Sequence, residues 1–172
     1  MERLCPTSTK FAMRQQRSND VLASISQNMI IPAMTKGSLR FFFDCGAGGC
    51  LWAGDEATRS ALGFGPLDAA VYDLQGRVTE PPRISLSPTL KSLIHRLDQE
   101  YAGYLNPFYQ PDPSLWTQAK CERFNDDVEQ LLALLRAELG AEFLIADEQK
   151  RHTENPFLAE FLVAHPNQKP MS

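Results

Sequence analysis

The fold is decided by the stretch TQAKCERFNDDVEQLLALLRAELG, which covers residues 117–140. Apolar side chains recur in it at every third or fourth position, and this spacing places them on one face of a helix. The stretch therefore predicts an amphipathic helix that begins near Ser114 or Thr117, ends at Leu139 and stops at Gly140. The predicted apolar face consists of Cys121, Phe124, Val128, Leu131, Leu132, Leu135 and Leu139.

A second amphipathic helix is predicted upstream of the first. Ser87 followed by Pro88 is typical of a helix start, because serine caps free N–H groups and proline fits the first helical position. We expect this helix to end at Asn106-Pro107, where proline interrupts the pattern. Its apolar face consists of Leu90, Leu93, Ile94, Leu97 and Tyr101.

The segment before these helices predicts a β-hairpin and a short helix. Residues 39–44 are β-prone and mostly apolar, which indicates a buried strand. Three glycines in the following turn allow a sharp reversal into a return strand at residues 50–53. Asp55 is then a candidate N-cap of a short helix that ends at Gly63.

The remaining elements complete an α+β pattern. Gln75-Gly76 predicts a turn, residues 142–146 predict a late strand, and residues 156–164 predict a terminal helix capped by Asn155. Strands and helices do not alternate strictly in this order. We therefore expect a small sheet, made of the N-terminal strand or hairpin plus the late strand, packed with two long amphipathic helices.

The domain organisation follows from a change in composition and patterning of the sequence near Met34. Residues 1–33 are largely polar and unpatterned, and predict an N-terminal extension that is disordered or derives from a non-native start. The alternative is that residues 21–31 form an amphipathic segment that packs on the domain. Residues 34–166 predict a single α+β domain, and residues 167–172 a C-terminal tail.

The charge and the cysteine count restrict the class of protein. The net charge is −4 for the whole chain and −6 without residues 1–33, so we do not expect nucleic-acid binding, which needs a basic surface. An acidic surface favours a basic protein partner. The sequence shows neither a signal-peptide core nor a membrane-spanning stretch, which predicts a cytoplasmic protein with four reduced cysteines and no membrane partner.

Two groups of residues are candidates for contact with a partner. The connection between the predicted long helices is rich in proline and aromatic residues, and it contains Tyr109 and Asp112. Trp52, Asp55 and Glu56 form a second group of aromatic and acidic side chains. Aromatic residues concentrate at binding hot spots, although such side chains are also common in cores. We expect Trp116 to be core, and we leave Tyr109 open between the two roles.

Catalytic, metal and cofactor sites are not predicted. Cys45 and Cys50 are spaced C-x4-C without a second pair, so a zinc site is not expected. Gly46–Gly49 follows a strand, but the next residues match neither a dinucleotide fingerprint nor a P-loop. Among the histidines, His95 is expected at the core boundary or in solvent, and His152 in an exposed loop.

Several short motifs resemble those of a group of small, uncharacterised bacterial cytosolic proteins. The motifs are CLWAGDEA (residues 50–57), LNP (105–107), WTQAKCERF (116–124), ELG (138–140) and DE (147–148). The similarity covers residues 38–149 and is interrupted at residues 71–84. The resemblance implies an immunity-type or antitoxin-like protein.

The sequence thus predicts a non-enzymatic protein-binding domain. In its most specific form, this domain neutralises a basic toxin domain by direct binding through Tyr109, Asp112, Asp55, Glu56 and Trp52. The alternatives are a small hydrolase that uses a cysteine nucleophile, and an accessory subunit of a larger assembly.

Overall fold

The computed structural model describes residues 35–172. The predicted N-terminal extension, residues 1–33, lies outside the described residues. Within the described range the chain forms five strands and four helices, in the order β1-β2-α1-β3-β4-α2-α3-β5-α4.

The first two strands form the predicted hairpin. Strand β1 (Gly37–Phe41) pairs antiparallel with β2 (Leu51–Ala53), and Leu39 lies opposite Ala53. The hairpin is confirmed, and β1 begins and ends a few residues earlier than the sequence predicts. The loop between the strands, residues 44–49, is called the glycine loop.

The short helix α1 (Glu56–Leu62) has both predicted boundaries. The Asp55 side chain accepts a hydrogen bond from the Thr58 N–H at 2.7 Å, which satisfies one free donor of the first turn. Gly63 follows the last turn with φ of +84°, a conformation that favours glycine.

A second, two-stranded sheet follows α1. Strand β3 (Val71–Tyr72) pairs antiparallel with β4 (Val78–Glu80), and both strands are exposed. The predicted turn at Gln75-Gly76 connects them, and the φ of +76° at Gly76 explains why glycine stands there.

The two long helices are α2 (Pro88–Ala102) and α3 (Gln118–Leu139). Each has a hydroxyl cap: Ser87 accepts from the backbone of α2 and Thr117 from the backbone of α3. Both helices are confirmed. Helix α2 ends four residues before Asn106, with Gly103 as its C-cap, and Asn106 belongs to the loop that follows.

The late strand β5 (Phe143–Asp147) joins the first sheet. It runs parallel to β1, with Phe143 opposite Gly37, so the strand order is β2-β1-β5. A parallel neighbour requires a long crossover, which the segment containing α2 and α3 supplies. The predicted strand is therefore confirmed.

The terminal helix α4 (Leu158–Ala164) is shorter than predicted, and its predicted cap is wrong. Asn155 does not cap the helix, because its side chain accepts a hydrogen bond from the Phe157 N–H at 3.0 Å in a local turn before α4. The first turn of α4 has no side-chain cap.

The segment after α4 is attached to the domain by backbone hydrogen bonds. The Met171 N–H donates to the Leu115 carbonyl at 2.7 Å, and the Thr117 N–H donates to the Met171 carbonyl at 3.0 Å. The last residues of the chain therefore lie beside the start of α3.

The fold is α+β, as the sequence predicts. The core is one cluster that joins the three-stranded sheet to the two long helices. The fully buried residues with the largest side chains in it are Leu39, Phe41, Leu51, Leu67, Leu97, Trp116, Phe124, Leu131, Leu132 and Leu135.

Candidate functional site

The connection between α2 and α3 is organised by one buried asparagine. The Asn106 side-chain oxygen accepts hydrogen bonds from the N–H groups of Phe108 (3.0 Å) and Tyr109 (3.4 Å). Its side-chain nitrogen donates to the Pro113 carbonyl at 2.9 Å. Asn106 therefore fixes the loop from the inside, while 69% of Phe108 and 62% of Tyr109 are exposed.

A shallow apolar groove of about 320 Å³ lies between this connection and α4. Pro113 lines one side, and Phe157, Phe161 and Ala164 line the other. Phe157 is 64% exposed, and Phe161 is stacked on the His165 ring at a centroid distance of 4.2 Å. We call Phe108, Tyr109, Pro113, Phe157 and Phe161 together the aromatic–proline surface.

Two acidic residues accompany the aromatic–proline surface. The Asp112 N–H donates to the Tyr109 carbonyl at 2.9 Å, so a tight turn holds these two residues together. Glu160 lines the groove. Neither carboxylate forms an ion pair or a hydrogen bond within residues 35–172, and both are therefore available to a positively charged group.

Five rings pack together on the inner side of the same connection. Trp116 is 1% exposed and its Nε1–H donates to the Gly103 carbonyl at 3.0 Å, which confirms its predicted place in the core. Its ring meets the Phe124 ring edge-on at a centroid distance of 5.2 Å. We call this group the aromatic core cluster; it consists of Tyr101, Tyr104, Trp116, Phe124 and His152.

The expected exposure of His152 is wrong, because its ring belongs to this cluster and is only 7% exposed. Asn125 of α3 explains the burial: its side-chain oxygen accepts from the His152 N–H at 3.0 Å, and its nitrogen donates to the His152 carbonyl at 2.8 Å. Burial lowers the pKa of His152 to about 4, with a smaller contribution from the positive charge of Lys150.

The second predicted group has structural roles. Trp52 is half-buried, and its ring is stacked on Phe42 at 5.0 Å while its Nε1–H donates to the Phe42 carbonyl. Hydrogen bonds from Thr58 lower the pKa of Asp55, the cap of α1. Glu56 is exposed and pairs with Arg59.

The structure separates the two predicted groups. Thr58 of α1 accepts a hydrogen bond from the Ser38 N–H, so α1 lies near the beginning of β1. The neighbouring Gly37 pairs with Phe143, which follows the C-terminal end of α3. Tyr109 lies on the connection that leads into the start of α3. The groups therefore lie near opposite ends of α3, a helix that is roughly 33 Å long. That Tyr109, Asp112, Asp55, Glu56 and Trp52 contact a partner stays a prediction, and the structure places these residues in two groups.

The chain matches no protein-family model, no curated protein and no solved structure. The resemblance to small bacterial cytosolic proteins therefore stays a prediction.

The cysteines bear on the alternative of a cysteine hydrolase. Burial and the neighbouring carboxylate of Asp68 raise the pKa of Cys50 well above its usual value, and burial also raises the pKa of Cys121. A nucleophilic cysteine needs the opposite shift. Cys45 is exposed, and within residues 35–172 its Sγ has no hydrogen-bonded histidine.

The described residues contain neither a metal-binding cluster nor a membrane-spanning helix. No group of three or more His, Cys, Asp or Glu side chains between residues 35 and 172 is placed to hold a metal ion. In the same range, no helix has the length and the apolar content that crossing a membrane requires.

The residues that organise the aromatic regions were missed by the sequence reasoning. The side-chain amides of Asn106 and Asn125 each accept from a backbone N–H and donate to a backbone carbonyl. Gln149 likewise accepts from the Phe43 N–H and donates to the Lys150 carbonyl. The one signal in the sequence is Asn106 before a proline, which is typical of a turn.

Proposed function

We propose that this domain binds a basic protein through the aromatic–proline surface. The observation that carries the proposal is the exposure of two aromatic rings, Phe108 and Tyr109, on a loop fixed by a buried asparagine. Pro113 of the same loop shares an apolar groove with the exposed Phe157. Contiguous exposed apolar surface is typical of protein–protein contact sites. A preformed loop also lowers the entropy that is lost when a partner binds.

The acidic residues indicate the chemistry of the partner. Residues 34–172 carry a net charge of −6, and Asp112 and Glu160 beside the surface are unpaired within the described residues. Such charges increase the rate of encounter with a basic protein, and aromatic anchors slow its dissociation. In its most specific form, the proposal is an immunity-type protein that neutralises a basic toxin domain in the cytoplasm by covering its surface.

The test compares two pairs of aromatic residues. Phe108→Ser/Tyr109→Ser removes two rings from the aromatic–proline surface. The matched control, Phe64→Ser/Tyr72→Ser, removes two rings that are similarly exposed at other places in the fold. Wild type and both variants are immobilised and exposed to extract from the native cell.

The proposal expects a positively charged protein that is captured by the wild type and the control but lost with Phe108→Ser/Tyr109→Ser. Its capture should weaken as salt increases, since the encounter is partly electrostatic. Equal capture by both variants, or a captured partner with a net negative charge, would contradict the proposal.

A further inference from the structure

A cavity of about 450 Å³ lies between the glycine loop and the N-terminal half of α2. Its lining includes Gly46 and Gly48 from the loop, and Leu86, Lys91, Ile94 and His95 from α2 and the segment before it. The volume is in the range of sites that hold small molecules. The cavity is separate from the aromatic–proline surface, which lies beyond the C-terminal end of α2.

The glycine loop contributes Gly46, Ala47 and Gly48 to the lining of this cavity. Gly46 and Gly48 have φ of +80° and +74°, and a Cβ on either residue would meet no atom within 4 Å. Glycine is therefore required there by the backbone conformation and not by packing. The Ala47 N–H donates to the Asp44 carbonyl, whereas the N–H groups of Gly46 and Gly48 make no hydrogen bond within residues 35–172. Consecutive turns of this kind form anion-binding concavities.

Two basic side chains face the same space from α2. Lys91 and His95 are four residues apart, so they lie on one face of the helix. Both are exposed, and neither side chain forms an ion pair or hydrogen bond with any residue between 35 and 172. Lys91 and His95 therefore line the same cavity as Gly46 and Gly48 of the glycine loop.

The other residues that line the cavity indicate the chemistry of the rest of the ligand. Leu86 and Ile94 are almost fully buried and give the cavity an apolar side, and the exposed Tyr72 ring lies at its edge. Asp68 also lines the cavity, and its carboxylate already accepts hydrogen bonds from the N–H groups of Cys50 and Leu51. A second anionic group near Asp68 would be repelled, so a ligand with one anionic group is favoured.

We propose that this cavity binds a small phosphate monoester whose organic part is apolar or aromatic. The phosphate accepts from the Gly46 and Gly48 N–H groups and from Lys91 and His95, and the organic part packs on Leu86 and Ile94. Phosphate is favoured over carboxylate because its three terminal oxygens match this larger set of donors. A charged hydrogen bond from Lys91 and a hydrogen bond from the His95 ring add to the backbone contacts.

The first experiment uses the unmodified protein. Phenyl phosphate, benzoate and inorganic phosphate are each titrated into 15N-labelled protein, and amide shifts are followed. We expect saturable shifts that are largest at Gly46 and Gly48, with phenyl phosphate bound about tenfold more tightly than either other probe, since only it supplies both the phosphate and the apolar group. Absence of saturable binding, or equal binding of benzoate, would overturn the proposal.

The second experiment removes the two basic groups. Lys91→Gln/His95→Gln should weaken phenyl phosphate binding by about tenfold or more. The matched control, His165→Gln/Lys169→Gln, removes the same residue types from exposed positions outside the cavity and should change the affinity by less than about twofold. Equal weakening in both variants would show only a general charge effect and would overturn the site. The titration of the wild type tests the proposal independently of how either variant folds.

Discussion

The aromatic core cluster and the aromatic–proline surface lie on the two sides of one connection, yet they are buried to opposite degrees. Trp116 is almost completely covered by other rings, whereas Phe108, eight residues earlier, is mostly exposed. Each region depends on an asparagine: Asn125 holds the backbone of His152 against the cluster, and Asn106 holds the loop that presents the surface.

This difference shows that residue type does not decide whether an aromatic ring stabilises the fold or is free to bind. The rings of Trp116 and His152 are buried where the adjoining backbone is hydrogen-bonded to other parts of the fold: Leu115 and Thr117 to Met171, and His152 to the Asn125 side chain. The Tyr109 ring is exposed on a loop whose backbone is satisfied from the inside, because the Tyr109 N–H donates to the Asn106 side-chain oxygen. Substitutions in the two regions should therefore affect different properties.

The largest expected effect is on stability in the aromatic core cluster. Trp116→Ala should lower the free energy of unfolding by about 3–5 kcal/mol, because it leaves a cavity and removes the ring contacts with Phe124. Phe108→Ala should change it by less than about 0.5 kcal/mol. Urea unfolding measures both, and similar losses for the two variants would remove the distinction between the regions.

A smaller effect is expected at the asparagine that organises the surface. Asn106→Ala should cost about 1–3 kcal/mol, because it leaves the Pro113 carbonyl and two N–H groups without their partner. Asn106→Asp keeps the acceptor, but it buries a carboxylate whose oxygen faces the Pro113 carbonyl, so it should not restore the stability of the wild type. Chemical denaturation compares the two variants, and an Asn106→Ala protein as stable as the wild type would contradict the organising role.

The pH dependence of the free energy of unfolding tests the burial of His152. The folded-state pKa is about 4 and the ordinary value is 6.5, so between these values the unfolded chain binds a proton that the folded chain does not. Stability should therefore fall as the pH decreases from about 6.5 to 4, by about 1–2 kcal/mol after allowance for partial solvent screening.

His152→Phe should remove this dependence and keep the ring packing. The pKa values of Asp68 and Asp98 are raised by burial, and their protonation acts in the opposite direction, so the comparison between the two proteins isolates the histidine. The measurement is the free energy of unfolding at several pH values. Identical pH profiles for the wild type and His152→Phe would count against a buried neutral imidazole.

The smallest effect on stability is expected on the exposed side. Tyr109→Ala and Asp112→Lys should each leave the free energy of unfolding within about 0.5 kcal/mol of the wild type. With a captured partner, Tyr109→Ala should mainly increase the dissociation rate, and Asp112→Lys should mainly lower the association rate at low salt. Surface plasmon resonance separates the two rates. Unchanged rates in both variants would move the contact away from this loop.

The separation of the two predicted partner-binding groups was not accessible from the sequence. Trp52 and Tyr109 both belong to segments rich in aromatic and acidic residues, and nothing local distinguishes them. Trp52 is stacked on Phe42 because β1 and β2 form a hairpin, whereas the backbone of Tyr109 is bonded to the side chain of Asn106. Where each segment lies relative to α3 depends on the sheet, and the sheet depends on pairings between distant residues.

The elements that could be predicted from the sequence are those with local causes. The caps at Asp55, Ser87 and Thr117 and the apolar faces of α2 and α3 depend on side chains within about four positions, which is the range of helical neighbours.

The tertiary structure decided the parallel pairing of β1 with β5, the burial of His152 and the hydrogen bond between Phe43 and Gln149, which are 106 residues apart. These features arise when the folded core brings distant backbone groups together and requires each buried donor and acceptor to find a partner.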